Sequence, residues 1–264
     1  MNFRIMPQFL SAAFFIYLYV LSGVGFASED SLEVFAYGGQ PNAGFMAVPQ
    51  KSLTGIWNLK GKKDASYNQG PVAVWFHGGM TSGNCGKGLE AGGDLGSMLP
   101  NFVVVSVSAC KQNHWVTPVA VGWVDAALDS IAARRGSTVD KVYMLGISDG
   151  ALGVIAYSLW GRRQIVSRVL ISSYGASFGD AREIAAQPRL QAGRWRFIQG
   201  GSDRLYPAEV TVPWITQFCD GVDRGGGEKA AVRCDLKFDP AGEHDWGYWK
   251  GRRLDWVLEV FKEK

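Results

Sequence analysis

The fold of this chain is decided by the stretch Val142-Tyr143-Met144-Leu145-Gly146-Ile147-Ser148-Asp149-Gly150-Ala151. Its apolar beginning predicts a buried strand, and the G-x-S-x-G at its end predicts a sharp turn into a helix. Gly146 and Gly150 leave the room that such a crowded turn needs, so Ser148 is expected at its tip with Oγ exposed. The amide of Asp149 and the helix dipole then favour a negative charge beside that hydroxyl. The stretch predicts a nucleophilic serine; an inert turn serine stays open because glycine is abundant, 34 of 264 residues.

From residue 71 onward, short apolar runs alternate with amphipathic segments, which is the pattern of a parallel sheet with crossover helices. Six strands are expected, over Val72 to Phe76, Phe102 to Ser108, Lys141 to Ile147, Arg168 to Ser172, Arg196 to Gln199 and Asp235 to Phe238. Helices are expected over Val119 to Arg134, Asp149 to Trp160, Glu183 to Gln187, Pro207 to Phe218 and Arg252 to Phe261. Residues 28–70 predict an antiparallel entry to the sheet, with edge strands over Leu32 to Tyr37 and Met46 to Val48.

The composition is that of one well-cored globular domain, since 47% of the residues are hydrophobic and 19% are charged. The formal net charge of +3 is small. No run of Lys and Arg interleaved with aromatic residues is visible, which argues against a nucleic-acid partner.

The first 27 residues differ from the rest of the chain. Arg4 supplies a positive start, Phe9 to Leu21 is almost purely apolar, and Gly25-Phe26-Ala27 offers small residues at the spacing of a cleavage site. We expect a signal peptide over residues 1–27, a mature chain from Ser28, a secreted or periplasmic location and no stable membrane insertion after cleavage. An uncleaved anchor is the alternative, because the apolar stretch is just long enough to cross a bilayer.

The chain has four cysteines, which in an exported protein suggest two disulfides with three conceivable pairings. We expect the pairs adjacent in sequence, Cys85 with Cys110 and Cys219 with Cys234. Each would close a local loop and stabilise the fold by about 3 kcal/mol. The cysteine and histidine spacing fits no zinc site, and no metal or organic cofactor is expected.

The sequence His77-Gly78-Gly79-Met80 follows the first parallel strand. Glycines let the main chain approach a substrate carbonyl closely, so the amides of Gly79 and Met80 are candidates to complete an oxyanion hole with the amide of Asp149. His77 precedes the nucleophile, and we expect it to brace the loop. A plain glycine turn at the end of a strand is the alternative.

Asp203 and His244 follow Ser148 in the order nucleophile, acid, base. Asp203 comes directly after one predicted strand and His244 lies on the loop after the last one. In this arrangement Ser148 would attack an acyl carbon, His244 would carry the proton, and Asp203 would hold the imidazole in one tautomer. The alternatives are a surface aspartate and a loop histidine.

Other acidic residues compete for the role of the acid. Asp235 and Asp239 lie on the last strand or at its exit, and Asp245 is too close to His244 in sequence to reach around the imidazole easily. Asp125 and Asp129 are expected on the solvated face of a helix.

Aromatic residues are frequent near the predicted catalytic loops. His114, Trp115, Trp246 and Trp249 are candidates to line a substrate pocket. An aromatic cleft would suit an apolar or aromatic acyl group or a sugar ring. The alternative, that these side chains cap the core, is equally open.

Some two-thirds of the chain, from Pro71 to about Gly251, resembles the secreted α/β-hydrolase esterases grouped around polyhydroxybutyrate depolymerases and feruloyl esterases. The resemblance is closest over Val121 to Arg135 and the following Val139-Asp140-Lys141-Val142-Tyr143-Met144-Leu145-Gly146-Ile147-Ser148-Asp149-Gly150. The chain departs from that family at Gly150-Ala151, where a second glycine is usual. The Gly-x-x-Asp-x-x-x-Pro stretch ending at Pro207 is also similar to dienelactone-hydrolase-like and prolyl-oligopeptidase-like enzymes.

This resemblance implies the α/β-hydrolase fold over residues 28–264, as one catalytic domain with a mostly parallel central sheet and helices on both faces. It also implies Ser148 as nucleophile, Asp203 as acid and His244 as base, although His244 is followed here by an uncustomary Asp245-Trp246.

We therefore expect a serine carboxylic-ester hydrolase that acts on a small-molecule or polymer-derived ester. A serine peptidase or amidase of the same fold and a non-catalytic binding protein remain the alternatives.

Overall fold

A single mixed sheet runs through the computed structural model, which describes residues 33–38, 51–59, 70–79, 83–109, 114–225 and 233–262. Its strands are β1 (Glu33–Gly38), β2 (Lys51–Trp57), β3 (Val72–Phe76), β4 (Val103–Val107), β5 (Lys141–Ile147), β6 (Gln164–Ile171), β7 (Arg194–Gly200) and β8 (Cys234–Asp239). Their order in the sheet is β1-β2-β4-β3-β5-β6-β7-β8. β1 pairs antiparallel with β2, and β2 with β4. All other pairs are parallel, which confirms the mostly parallel sheet.

The helices are α1 (Lys87–Met98), α2 (Pro118–Arg135), α3 (Asp149–Trp160), α4 (Ala181–Ala185), α5 (Ala208–Arg224), α6 (Trp246–Arg252) and α7 (Leu254–Leu258). α2 shows the local chemistry that sets such bounds. The Thr117 side chain accepts a hydrogen bond from the amide of Ala120, Pro118 occupies the first turn, and Gly136 ends the helix in the left-handed conformation.

Two apolar clusters cover the two faces of the sheet. Val72, Val74 and Phe76 of β3 belong to one cluster, and Ala73 and Trp75 belong to the other. Because successive side chains of a strand point to opposite faces, every residue of this strand is buried. This double burial explains why the parallel strands read as continuous apolar runs.

α1 was not among the expected helices, and its sequence is rich in glycine. A Cβ at Gly92 would lie 2.5 Å from the Trp57 ring, one at Gly96 would lie 2.7 Å from the Trp57 Cβ, and one at Gly88 would lie 2.4 Å from Ser106 Oγ. These glycines stand four residues apart on one face of α1 and let it pack directly on β2 and β4. Tertiary contact thus outweighs their poor helix propensity.

Two further expectations differ from the structure, and a third falls on residues outside the described ranges. β2 begins at Lys51, after the expected Met46 to Val48, which lies outside the described residues. The expected helix over Arg252 to Phe261 is the short α7 followed by a 3₁₀ turn over Glu259–Phe261, and α6, which precedes it, was not expected. The expectation for Asp125 was wrong: its carboxylate is buried and accepts hydrogen bonds from the Tyr157 hydroxyl and the Arg162 amide.

A disulfide joins Cys219 of α5 to Cys234 of β8. Cys85 is also disulfide-bonded, and its expected partner Cys110 lies outside the described residues, as do residues 1–27. Across the described ranges, no helix is both long and apolar enough to span a membrane. In the same ranges, no three His, Cys, Asp or Glu side chains are grouped to hold a metal ion.

Candidate active site

Ser148 occupies a strained turn between β5 and α3. Its backbone has φ 57° and ψ −124°, a conformation that non-glycine residues rarely adopt. Its amide donates to the carbonyl of Ile171 at 2.9 Å. A Cβ on Gly150 would lie 2.0 Å from the carbonyl oxygen of Phe76, and one on Gly146 would lie 2.3 Å from that of Gly150. The two glycines of the motif are therefore required by close backbone packing at the turn.

The loop after β3 lies beside this serine. A Cβ on Gly78 would be 3.3 Å from the Cβ of Ser148, and Gly79 has φ +89°. Trp115 supports the loop, because its indole Nε1 donates to the His77 carbonyl at 2.9 Å. The oxyanion-hole candidate Gly79 is the next residue of this loop, whereas the second candidate, Met80, lies outside the described residues.

His77 is buried beneath the loop. Its Nε2 accepts the amide proton of Ala109 at 3.0 Å, so the ring proton sits on Nδ1 and donates to the Gly78 carbonyl at 2.8 Å. Burial lowers the pKa of His77, the Gly78 carbonyl opposes that effect, and Lys87 adds to it. The imidazole is a neutral brace, as the sequence suggested.

Asp203 and His244 come together at the same edge of the sheet, after β7 and β8. The Asp203 side chain is 0% exposed, and its Oδ2 lies 2.9 Å from His244 Nδ1. Its Oδ1 accepts the amides of Leu205 and Tyr206, both at 2.9 Å. Burial alone raises the pKa of Asp203, but His244 and these two amides together hold that pKa below its usual value. The carboxylate therefore stays ionised and accepts a hydrogen bond from His244 Nδ1, which leaves Nε2 facing away from Asp203.

The site thus has a serine at the carboxyl end of β5, a backbone loop after β3 and an acid–histidine pair after β7 and β8. Solved structures with a similar fold are known. A thermostable esterase has a TM-score of 0.61 at 12% identity over 88% of this chain. An α/β-hydrolase enzyme from a Medee basin deep-sea metagenome library has a TM-score of 0.58 at 12% identity over 89% of this chain. The chain has the α/β-hydrolase fold.

A ferulic acid esterase also shares the α/β-hydrolase fold, with a TM-score of 0.59 at 16% identity over 88% of this chain. The chain spans 63% of the thermostable esterase, all of the deep-sea enzyme and 98% of the ferulic acid esterase. The sequence matches no protein-family model and no curated protein.

Tyr206 is a neighbour of the candidate site that sequence reasoning missed. Its ring stacks on His244, with centroids 5.4 Å apart and planes 12° apart. Its hydroxyl faces the hydroxyls of Ser173 and Ser148. Burial raises the pKa of Tyr206; the Ser173 and Ser148 hydroxyls oppose this effect, and Asp149 and Asp203 reinforce it. The position of Tyr206, three residues after the candidate acid, was the only available signal in the sequence.

Asp149 carries a buried carboxyl next to Ser148, the candidate nucleophile. Its Oδ2 accepts the Trp115 amide at 3.5 Å, a long contact, and its Oδ1 has no hydrogen-bond partner. Burial raises the pKa of Asp149, while the Trp115 amide and His114 oppose the rise. The Asp149 carboxyl, whose burial is only partly offset by the Trp115 amide and His114, therefore lies beside the backbone amide that is expected to bind the oxyanion.

The candidate aromatic pocket is largely core. Trp115 and Trp249 are 1% and 0% exposed, and the Trp249 indole donates to Ser172 Oγ. Trp246 packs on Trp75 with ring centroids 5.0 Å apart. His114 is half-buried, with Nδ1 accepting the amide two residues on. Trp115 and Trp249 offer no open face to a ligand. Both follow predicted strands in the sequence, but contacts with residues distant in sequence bury their side chains in the core.

The competing carboxylates have other partners. Asp235 pairs with Arg196, and Asp239 pairs with Arg253. Asp245 caps α6 by accepting the amide of Tyr248. Asp203 is the carboxylate that contacts His244.

Proposed function

We propose that this protein is a serine carboxylic-ester hydrolase that acts through an acyl-enzyme. Ser148 is the nucleophile, His244 the base and Asp203 the acid. The observation that carries the proposal is the hydrogen-bonded pair of Asp203 and His244 at the sheet edge where Ser148 occupies its strained turn. Nucleophile, base and orienting acid are the three parts that this chemistry needs.

In the acylation step, Ser148 Oγ attacks the ester carbon while His244 Nε2 takes the serine proton. The amide of Asp149 and an amide of the loop at Gly79 and Met80 would hold the oxyanion of the tetrahedral intermediate. The carbon–oxygen bond to the alcohol then breaks, and His244 gives the proton to the leaving alcohol. Water repeats the sequence on the acyl-enzyme and releases the acid, with His244 again acting as base and then as acid.

Ser148 Oγ and His244 form no hydrogen bond in this structure, although both residues are described. In ligand-free enzymes the bond between a catalytic serine and its histidine is often long and tightens only with substrate. The missing bond is therefore compatible with Ser148 and His244 acting together. The proposal includes a closing of this contact in the Michaelis complex.

Ester rather than amide hydrolysis is favoured because the similar structures reported above include two proteins named as esterases. The substrate would be a small-molecule or polymer-derived ester. A peptidase or amidase is the second enzymatic reading, and a binding protein on the same scaffold is the third.

We also propose that residues 1–27 are a cleaved signal peptide and that residues 28–264 work as one catalytic domain outside the cytoplasm. The disulfide between Cys219 and Cys234 supports this location, because such bonds persist in oxidising compartments.

The test uses p-nitrophenyl esters from acetate to octanoate, together with a ferulate ester. The mature protein, Ser148→Ala and Ser97→Ala are compared. Ser97 is an exposed serine of α1 whose hydroxyl bonds its own helix at Gly93, so its loss controls for serine removal as such. We expect turnover and labelling by a fluorophosphonate in the wild type and Ser97→Ala, and neither in Ser148→Ala.

Labelling without ester turnover would point to peptide or amide substrates. A folded wild-type protein that is neither labelled nor active would refute the enzymatic reading and leave the binding protein.

A further inference from the structure

We propose that Tyr206 is a positioning residue of the active site: its ring holds the His244 imidazole in plane with Asp203, and its hydroxyl orients the Ser148 side chain. This inference rests on the proposed function. It adds a residue that contacts each of the three proposed catalytic residues.

Tyr206 is anchored at its backbone on both sides. Its amide donates to Asp203 Oδ1 at 2.9 Å, and its carbonyl accepts Gln199 Nε2 at 2.8 Å. The Tyr174 ring meets it edge to face at a centroid distance of 6.0 Å. The acid and the stacking ring therefore sit on one short, well-held loop, so that they move together.

The Tyr206 ring restrains the tilt of the His244 imidazole, which the hydrogen bond to Asp203 does not restrain. A hydrogen bond at Nδ1 fixes one point of the imidazole, but the torsion between Cβ and the His244 ring is broad and leaves the ring free to tilt. A parallel aromatic face at 5.4 Å, offset as stacked rings prefer, opposes that tilt. Nε2 is then kept on the side from which it must reach Ser148.

The hydroxyl acts at the other end of the ring. It faces the hydroxyls of Ser148 and Ser173, which follow β5 and β6. Ser172 and Ser148 both have positive φ, 52° and 57°, so both strand ends turn sharply at this point. Ser173 Oγ is buried and has no hydrogen-bond partner within bonding distance, so the Tyr206 hydroxyl approaches both serines without a full hydrogen bond to Ser173.

Four variants separate these contributions. Tyr206→Phe keeps the ring and removes the hydroxyl, whereas Tyr206→Leu and Tyr206→Gln remove both. Tyr143→Leu is the matched control, because Tyr143 also loses ring contacts, with Phe102 and Phe261, but lies at the opposite end of β5 from Ser148.

For Tyr206→Leu and Tyr206→Gln we expect kcat and the rate of fluorophosphonate labelling to fall about 10- to 100-fold with KM nearly unchanged, the scale of a misplaced catalytic group. Tyr206→Phe should recover most of that loss and remain about three- to ten-fold below wild type. Tyr143→Leu should lower the melting temperature while kcat stays within about two-fold of the wild-type value.

A purely structural role for Tyr206 would lower the melting temperature and leave kcat of the folded fraction intact. That result, or a Tyr206→Phe variant as slow as Tyr206→Leu, would overturn the positioning role of the ring. Full activity of Tyr206→Phe would overturn the role of the hydroxyl. Failure of the proposed function is a separate result, namely wild-type protein that fluorophosphonate does not label; in that case the Tyr206 inference falls with it.

Discussion

The carboxylate of Asp203 lies 2.9 Å from Nδ1 of His244, although 41 residues separate them in sequence. The loops after β7 and β8 make this contact, because they pack without side chains between them. A Cβ on Gly200 would lie 2.2 Å from the Gly242 carbonyl oxygen, and the Ser202 amide donates to that same oxygen at 3.0 Å. The pairing of Asp203 with His244 is thus a product of two adjacent parallel strands and two tightly packed backbone loops.

Replacing the acid should leave a folded protein that turns over slowly. In Asp203→Asn the amide can still meet His244, but its NH₂ group favours the wrong imidazole tautomer, so kcat should fall by roughly 10³- to 10⁴-fold. KM for a p-nitrophenyl ester should change little. Asp245→Asn removes a nearby carboxylate that caps α6 and is the control, expected to keep kcat within about three-fold. Equal losses in both variants would contradict the assignment of the acid.

Asp203 should also stabilise the fold in a pH-dependent manner. Its pKa in the folded state lies below the model-peptide value of 3.8, so folding favours the ionised form. The stabilisation is fully present well above pH 3.8 and is lost as pH falls through the lowered pKa. Urea unfolding of wild type and Asp203→Asn should show a difference in unfolding free energy that shrinks with acidity. A difference that grows as pH falls would show that the pKa is shifted the other way.

Neutralising Asp149 should increase activity towards uncharged esters. An ionised carboxylate beside the oxyanion hole opposes the negative charge of the tetrahedral intermediate. Because burial raises the pKa of Asp149, the ionised fraction, and with it the penalty, grows as pH rises through that pKa. The ratio of kcat/KM for Asp149→Asn to that of wild type should therefore rise with pH and reach about ten-fold.

Glu243→Gln, which removes an exposed charge near His244, tests whether net charge alone explains such a gain. An Asp149→Asn variant that is slower than wild type at every pH would instead indicate that the carboxyl supports the site.

Two glycine-to-alanine substitutions should shift stability in opposite directions. Gly122 lies in α2 with open space where a Cβ would be, so Gly122→Ala should raise the unfolding free energy by about 1 kcal/mol. Gly150 also begins a helix, but its Cβ would overlap the Phe76 carbonyl, and Gly150→Ala should destabilise by about 2 kcal/mol or more. Denaturant midpoints measure both. A stabilised Gly150→Ala would mean that the turn at Ser148 is looser than the structure shows.

The parallel strands and the turn at Ser148 were predictable because their causes are local. β3 and β5 have the expected bounds, Val72–Phe76 and Lys141–Ile147, since strands buried on both faces must be continuously apolar. α3 also begins and ends at the expected residues, Asp149 and Trp160. The glycines around Ser148 are likewise required by the local backbone, so the turn can be recognised from this short stretch of sequence alone.

Other features depended on partners distant in sequence. The glycine stripe of α1 makes sense only against Trp57, and Asp125 is buried only because Tyr157 and Arg162 satisfy it. Composition and periodicity indicate that a segment can be buried, but they do not identify the residues that will cover it.

The amino-acid sequence by itself determined the parallel strands, the strained serine turn and the order of the nucleophile, acid and base candidates, because short-range sterics and apolar patterning suffice for these. Only the tertiary structure decided that Asp203 meets His244, that Tyr206 stacks on this histidine and that Trp115 and Trp249 fill the core. Those contacts join residues from separate strand ends and loops, and they form only when the sheet brings those strands side by side.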